Sequence, residues 1–539
     1  MVFTLHRYIF RELLKVFALA AVGLTLMLSL GSVLQPIQQY GIGPKQAVDL
    51  MGYFLPITLT FVLPLAALFA ATLVYGRFAC DNELDACRAS GVSMLTLIYP
   101  GLILAISVTI ANLLLSFHVM PDFVHRAEIS FKADAKQILF RNIERKGYYR
   151  IPDTGYVIYA DQVDLQNNTL SGVIIAIVKD NKIQRIITSE RTEIRFNSHK
   201  RFNTVQITAY NTYEMHPVDN VGFTSELVSL RVEFPSLLGD DIKFKKVGEM
   251  KNIKFDLIRF NPIAKAARQV YAQFTAALLA QDITQKTAGD PNSFYELHSG
   301  EKFIEITADR CLAKGERKVE LSGNVVVRES NLQTSEDKIT KKLSRTLKCS
   351  KALLYIEGDE LDPTVSMELY SPSWRQPDGS SQLMRYLIIR GLLAPQSVTD
   401  YFKTADVLKA VAPDNITKAL KNGADPKLIN LQNKLKRTIH LTLIKIKSVI
   451  NSRLAFGIGC VPLIMIGIAL GVMIKGGHLL IAFGVSSIPA AILLVCIMSG
   501  IQLAEKPQGQ TAIGIILMWA GVVFLTFLAL IIYRKLLKN

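Results

Sequence analysis

Six apolar runs, each near or above the roughly 20 residues that a helix needs to cross a bilayer, bound what this chain can fold into. They fall at about 13–34, 52–75, 94–117, 453–474, 479–501 and 512–533, and a long stretch of ordinary polarity separates the third from the fourth. Half of the 539 residues are apolar and the mean hydropathy is +0.28. Apolarity gathered at the two ends predicts a polytopic α-helical membrane protein of six spans, three plus three, around one large water-exposed domain. The first run reads as a span rather than a cleaved signal peptide, because it is too long and no small-residue cleavage site follows it.

Short basic flanks set the expected orientation. Arg7, Arg11 and Lys15 precede the first run, Arg77 and Arg88 follow the second, Lys475 lies between the fourth and fifth, and Arg534, Lys535 and Lys538 follow the last. The loops at 35–51 and 502–511 are poor in positive charge. Six spans with both termini in the cytosol satisfy all of these, and place residues 120–450 on the far side of the membrane. Long domains translocate whatever their charge, so the basic middle is compatible with this.

That middle reads mostly as β structure. Tyr156–Tyr159 is β-branched and aromatic, Val173–Val178 and Ile183–Thr188 flank a hairpin signal at Lys179-Asp180-Asn181-Lys182, and Val205–Tyr213 alternates apolar and polar residues. Such close spacing predicts a sandwich or jelly roll. A helix over about Pro262–Ala280 interrupts, "AGDPNS" at 288–293 breaks the pattern, and a second β unit follows. It holds "FIEITADRCLAKGERKVELSGNVVVRES" (Phe303–Ser330), with a tight bend expected at Ser322-Gly323-Asn324, and an echo at Leu347–Glu360. Residues from Val398 to about Ile450 read as helix leading back to the membrane.

Between the second and third spans stands "RFACDNELDACRASGVS", Arg77–Ser93. On one helix at about 100° per residue, Arg77, Asp81, Asp85 and Arg88 share a sector and can pair among themselves. Glu83 projects oppositely, among Ala79, Ala86, Cys87 and Ser90. A lone carboxylate on a small-residue face suits insertion into a groove that supplies a donor, since a buried unpaired charge is costly. The other reading is an amphipathic linker at the bilayer surface, although such helices want bulky apolar anchors. Gly91 permits a sharp exit into the next span.

The net charge is +16. The clusters Arg141, Arg145, Lys146, Arg150 and Lys243, Lys245, Lys246, Lys251, Lys254 read either as solvated faces or as a surface meeting phosphorylated lipid. Nucleic acid is not expected, for want of a basic-aromatic motif. The six cysteines form no CxxC pair and predict no metal site; Cys311 and Cys349, both in the middle domain, are a candidate disulfide. There is no GxxxxGK[ST], GxSxG or HExxH, so no catalytic residue and no cofactor of the chain's own is expected. The spans carry almost no charge, which disfavours a proton relay or ion channel. A transporter without an energy source that carries a cytosolic docking helix implies a separate motor.

Three features together resemble the permease subunits of the lipopolysaccharide-export ABC transporter, the LptF/LptG family. "YGRFACDNELDACRASGVS" (Tyr75–Ser93) is similar to its ATPase-coupling helix, with Arg77, Asp81, Glu83, Leu84, Asp85, Arg88 and Gly91 as the candidate coupling residues and Glu83 at the glutamate that contacts the ATPase. "NSRLAFGIGCVPLIMIGIALGV" (Asn451–Val472) resembles the fourth span, with Arg453 at its entry and Pro462 within it. The third feature is the layout of three spans, a periplasmic β-jelly roll and three spans. The resemblance implies a bacterial inner-membrane protein, a cytosolic ABC ATPase dimer that uses the ATP, a second homologous permease, periplasmic β-jelly-roll bridge proteins and lipopolysaccharide as substrate. "ITADRCLAKGERKVELSGNVVV" resembles the repeat of those bridge proteins, the OstA-like fold, and implies an enlarged periplasmic domain. One departure concerns the outer end of the first span, where the family often carries positive residues. "LQPIQQYGIG" (Leu34–Gly43) has none, and Lys45 is the nearest.

The resulting parse is spans one to three with the coupling helix 77–91 in 1–120, a jelly roll in 121–260, a helical linker in 261–292, the OstA-like unit in 293–395, a helical return in 396–450 and spans four to six in 451–539. Two rival classes share parts of this pattern. Another ABC-type permease, for lipoprotein release or mechanotransmission, would share the docking helix and lack the bridge-like repeat. A non-transporting membrane scaffold with an exported binding domain would need no ATPase.

Overall fold

The computed structural model describes residues 2–538 except 152–153, 180–181, 199–202, 218–220, 234–239, 288–292, 300–301, 316, 336–337, 358–363, 376–380, 384–385, 396–406, 421–424, 474–478 and 507–509. It divides into two compact units. The first is Met1–Glu214, Thr224–Phe255 and Leu441–Asn539; the second is Met215–Phe223 and Asp256–His440.

In the first unit, α1 (Val2–Tyr40), α2 (Pro44–Cys80), the short α3 (Glu83–Ala89) and α4 (Met94–Leu114) are followed by α5 (Met120–Ala133) and α6 (Ala135–Lys146). Strands β1 (Tyr148–Arg150), β2 (Tyr156–Asp164), β3 (Thr169–Lys179), β4 (Lys182–Ser198), β5 (Asn203–His216) and β6 (Val221–Glu233) come next, then α7 (Val247–Phe255). Among the described residues, six helices are long and apolar enough to cross a membrane, within α1, α2, α4–α5 and the later long helices, as the hydropathy pattern predicts. The spans continue beyond their apolar runs. Residues 121–146, expected to open the β domain, are helical, because Ile138, Leu139, Phe140 and Ile143 recur on one face of α6 and bury there. Strands β1 to β6 form one antiparallel sheet in chain order, where a sandwich or jelly roll was expected. Ile158, Val173, Ile175 and Ile187 of its inner face share one core with Phe131 and Leu139 of α5 and α6 and with Tyr40 and Phe54 of the first two spans. The pairing Lys179↔Lys182 realises the predicted hairpin, whose turn at 180–181 lies outside the described residues.

Prolines interrupt the backbone hydrogen bonding of the spans, and neighbouring side chains supply the missing donors. Pro64 has no N–H to give the carbonyl four residues back, and the side chain of Asn112, 1 % exposed on α4, donates to that Thr60 oxygen at 3.0 Å. Pro100 likewise leaves the Thr96 oxygen open, and His6 Nε2 of α1 donates to it at 2.9 Å. An unsatisfied carbonyl in an apolar core costs about 1–3 kcal/mol. Asn112→Leu is therefore expected to lower stability by about that amount with Pro64 present, and by less in a Pro64→Ala background that restores the backbone donor. Thermal or denaturant melts of the four proteins of this cycle measure the coupling.

The last three long helices are α11 (Pro426–Met473), α12 (Leu479–Ala504) and α13 (Thr511–Lys538). Small residues let them approach their neighbours closely. A Cβ on Gly471 of α11 would stand 2.7 Å from the Thr72 oxygen and 3.0 Å from the Gly76 nitrogen of α2. A Cβ on Gly514 of α13 would stand 2.5 Å from the Gly500 oxygen of α12.

The second unit contains α8 (Asn261–Thr287), strands β7 (Tyr295–Ser299), β8 (Lys302–Thr307), β9 (Arg310–Gly315), β10 (Lys318–Ser335), β11 (Lys338–Glu357), β12 (Thr364–Tyr370), β13 (Ser373–Arg375), β14 (Ser381–Leu383) and β15 (Tyr386–Leu393), and short helices α9 (Val407–Ala410) and α10 (Pro413–Ala419). The nine strands form one antiparallel sheet, with β10 and β11 paired along most of their length. Two expectations are corrected. Ser322-Gly323-Asn324 is not a bend between strands but a bulge inside β10: the register to β11 shifts between Ser322 and Val325, Gly323 has φ +96°, and Asn324 N donates to Asp309 Oδ2 at 2.8 Å. Helix α8 is not a linker, since Ala276, Leu279, Ala280 and Ile283 complete the core formed by Leu297, Ile304, Val327, Leu354 and Met367. Most of "AGDPNS", and 396–406 of the return segment, lie outside the described residues.

Candidate functional site

The segment Arg77–Ser90 is not one helix. Helix α2 ends at Cys80, Asn82 takes the left-handed conformation at φ 57°, and α3 starts anew at Glu83. Asparagine is among the few residues that tolerate that geometry. The break dissolves the single charged sector. Arg77 pairs with Glu12 of α1 at 3.3 Å, Lys15 shares that carboxylate at 2.7 Å, and the Arg77 guanidinium lies 5.3 Å from the Phe78 ring centre.

Helix α3 is fixed by one apolar plug. Leu84 is 5 % exposed and packs among Ile9, Leu13, Val74, Phe78, Met94 and Leu97, with Cys87 and Val92 partly buried beside it. Glu83, Ala86 and Ser90 are exposed. The small face expected around Glu83 is thus only partly present: Ala79 is buried in α2 and Cys87 turns into the core. Glu83 and Asp85 lie in the first turn and Arg88 in the last, each at the favourable pole of the helix dipole. Glu83 makes no ion pair or hydrogen bond among the described residues, whereas Asp85 and Arg88 are engaged. At the exit Gly91 has φ +83°, and Ser93 Oγ caps α4 by accepting from Thr96 N at 3.3 Å. The result is a short helix, anchored by Leu84 in the apolar core of the spans and presenting an exposed carboxylate.

Arg453 and Pro462 both lie in α11, apart from α3 in the chain. Arg453 is 8 % exposed, and its Nη2 donates to the Lys243 oxygen at 2.7 Å. The helices thus hold a buried cation where almost none was expected. The lysines read as a possible lipid-facing cluster are partly neutralised: Lys245 pairs with Asp240 and Lys246 with Asp122, each at 2.5 Å. Arg141, by contrast, is carried by α6 to the corner between α1 and α2. Its Nη1 donates to Gln46 Oε1 at 3.4 Å and packs on Gly43, while Asn142 Nδ2 donates to the Tyr40 and Gly41 oxygens at 3.1 and 3.2 Å. No local pattern in the sequence announces that placement, since α6 is distant in the chain. Asn112 was legible in principle, as a polar residue in an apolar run facing a proline-bearing span.

Cys311 and Cys349 are separate thiols and form no disulfide in this structure. Burial pushes the Cys311 thiol up to about 12 and that of Cys349 up to about 11, so neither is a thiolate at neutral pH. A maleimide is expected to label exposed Cys80 in the native protein and to reach buried Cys349 only after denaturation. Mass spectrometry of the labelled peptides reads this directly.

These features define a multi-pass α-helical membrane protein with β-rich domains and a short charged helix between its second and third spans. The chain belongs to the lipopolysaccharide export system permease LptF/LptG family, whose model matches residues 7–279, just over half of it. The match covers the first three spans, α3 and the first sheet, and ends within α8, ahead of the strands of the second unit. No curated protein matches the chain.

Proposed function

We propose that this chain is one permease subunit of an ATP-driven transporter that takes lipopolysaccharide out of the bacterial inner membrane and passes it toward the outer membrane. A cytosolic ABC ATPase dimer hydrolyses the ATP and grips α3, and a second, homologous permease completes the lipid cavity. Both termini are cytosolic and the β units periplasmic. Acyl chains leave through the first β domain, read as the family's jelly roll, to periplasmic bridge proteins, and the second unit, read as OstA-like, extends that bridge. The observation that carries the reading is the solvated Glu83 on a lever plugged into the spans by Leu84, inside the stretch matched to the family. Pulling on that lever draws on α2 and α4 together, because Leu84 shares one core with residues of both.

Arg141 takes the place of the positive charge that Leu34–Gly43 lacks. It stands at the end of the first span, where a guanidinium suits a lipid phosphate. The test is purification of the tagged chain in mild detergent, scored for an ATPase subunit and for bound lipid A-type glycolipid. The reading requires both. Recovery without either one returns the scaffold alternative.

A further inference from the structure

Residues 240–246, "DDIKFKK", follow the first sheet after 234–239 and are tied to two membrane helices at once. Asp241 Oδ1 and Oδ2 receive Lys445 Nζ of α11 at 3.0 and 3.1 Å. Asp241 Oδ1 also accepts from Lys243 N at 3.1 Å, capping the 3-10 turn Ile242–Phe244, and Ile242 is fully buried. Eight residues along α11, about 12 Å at 1.5 Å per residue, Arg453 Nη2 holds the Lys243 oxygen at 2.7 Å. Its guanidinium lies 5.6 Å from the ring centre of Phe117, which follows α4. On the other side Lys246 Nζ meets Asp122 Oδ1 of α5 at 2.5 Å, and Lys246 N donates to Glu249 Oε2 at the start of α7 at 3.1 Å.

Partly exposed ion pairs contribute about 0–1 kcal/mol each. Several on one short peptide therefore fix its position more than they stabilise the fold. Arg453 is different, because it is buried and its Nη1 has no hydrogen-bond partner among the described residues. Its carbonyl bond to Lys243 is then expensive to break. A peptide clamped at two points on α11 and at one on α5 cannot stay fixed to both if those helices shift.

We propose that residues 240–246 are the mechanical link that hands movement of α11 relative to α4–α5 to the first β domain, with Asp241 as the positioning residue. This rests on the motor-driven reading above. Loading of lipid into the spans does not pass through the link; transfer from the spans to the sheet does.

The experiment uses the full chain with its copurifying partners in phosphatidylethanolamine–phosphatidylglycerol vesicles containing lipopolysaccharide. A photo-crosslinker replaces Tyr156 on the inner side of the first sheet. Lipid bound in detergent reports loading, and ATP-dependent crosslinking reports transfer. Asp241→Asn and Lys445→Met are each expected to cut transfer about tenfold, within the usual 1–3 kcal/mol range of coupling energies, with loading and ATPase rate unchanged. The exchange Asp241→Lys with Lys445→Asp is expected to recover most of the transfer. Unchanged transfer in both single variants overturns the proposal. So does joint loss of loading, ATPase rate and transfer without recovery in the exchange, which marks a staple needed only for folding. Absence of ATP-dependent crosslinking in the unaltered chain instead strikes at the motor-driven reading itself.

Discussion

Glu83→Ala is expected to leave the chain inserted, folded and at normal abundance while abolishing ATP-driven lipid release. Glu83 is exposed and makes no ion pair or hydrogen bond among the described residues, so its truncation removes only its small interaction with the helix dipole, and exposed substitutions of this kind stay within about 0.5 kcal/mol. In the complex the same carboxylate is proposed to sit against a donor of the ATPase. Truncating one member of such a desolvated pair costs about 2–5 kcal/mol, or roughly 30-fold and upward in affinity. Copurification of the ATPase and lipid release should therefore fall together, while the melting transition stays in place. Leu84→Asp is the contrasting variant. It places a charge among Ile9, Leu13, Phe78 and Leu97, and should lower abundance before any question of coupling arises. A Glu83→Ala protein that binds the ATPase and exports normally removes Glu83 from the mechanism.

The second large effect belongs to the α2–α11 contact. Gly471→Val asks a branched side chain to occupy space already 2.7 Å from the Thr72 oxygen and 3.0 Å from the Gly76 nitrogen. Backbone atoms cannot step aside as a flexible side chain can, so the helices must separate. The overpacking cost is about 1–3 kcal/mol or more. Loss of the close approach should also lower the thermal midpoint in detergent by several degrees, at roughly 2–4 °C per kcal/mol. Gly52→Ala on α2 is the control, since nothing lies within 4 Å of the Cβ it would add. Equal midpoints for the two variants would show that the α2–α11 approach does not limit stability.

The spans were legible because hydrophobic length is a property of consecutive residues, and bilayer thickness sets one threshold for all of them. Strands β2 to β5 and β8 to β11 were legible for a similar local reason, alternation and β-branched runs. What failed was set by contacts distant in the chain. Ser322-Gly323-Asn324 carries turn chemistry, yet pairing of β10 with β11 on both sides of it leaves a bulge. The polar ends of α8 read as a linker, while its Ala-Leu face was claimed by the second core. The Arg77–Ser90 wheel assumed unbroken helix, and one left-handed asparagine at 82 reassigned Arg77 to Glu12. Glu83 projects from α3 into solvent, apart from Arg77, as the sequence predicts. Arg141 was named only within a basic cluster, and Asp241 not at all, because their partners, Gln46 and Lys445, lie far off in the chain.

In the proposed mechanism a foreign ATPase grips α3 from the cytosol. A photo-crosslinker in place of exposed Ala86, one turn beyond Glu83 on α3, tests this in native membranes. The predicted adduct, identified by mass spectrometry, is an ABC ATPase subunit, formed with the wild-type glutamate and lost with Glu83→Ala. An adduct with a periplasmic protein, or no ATPase adduct while the chain is still exporting lipid, would contradict it.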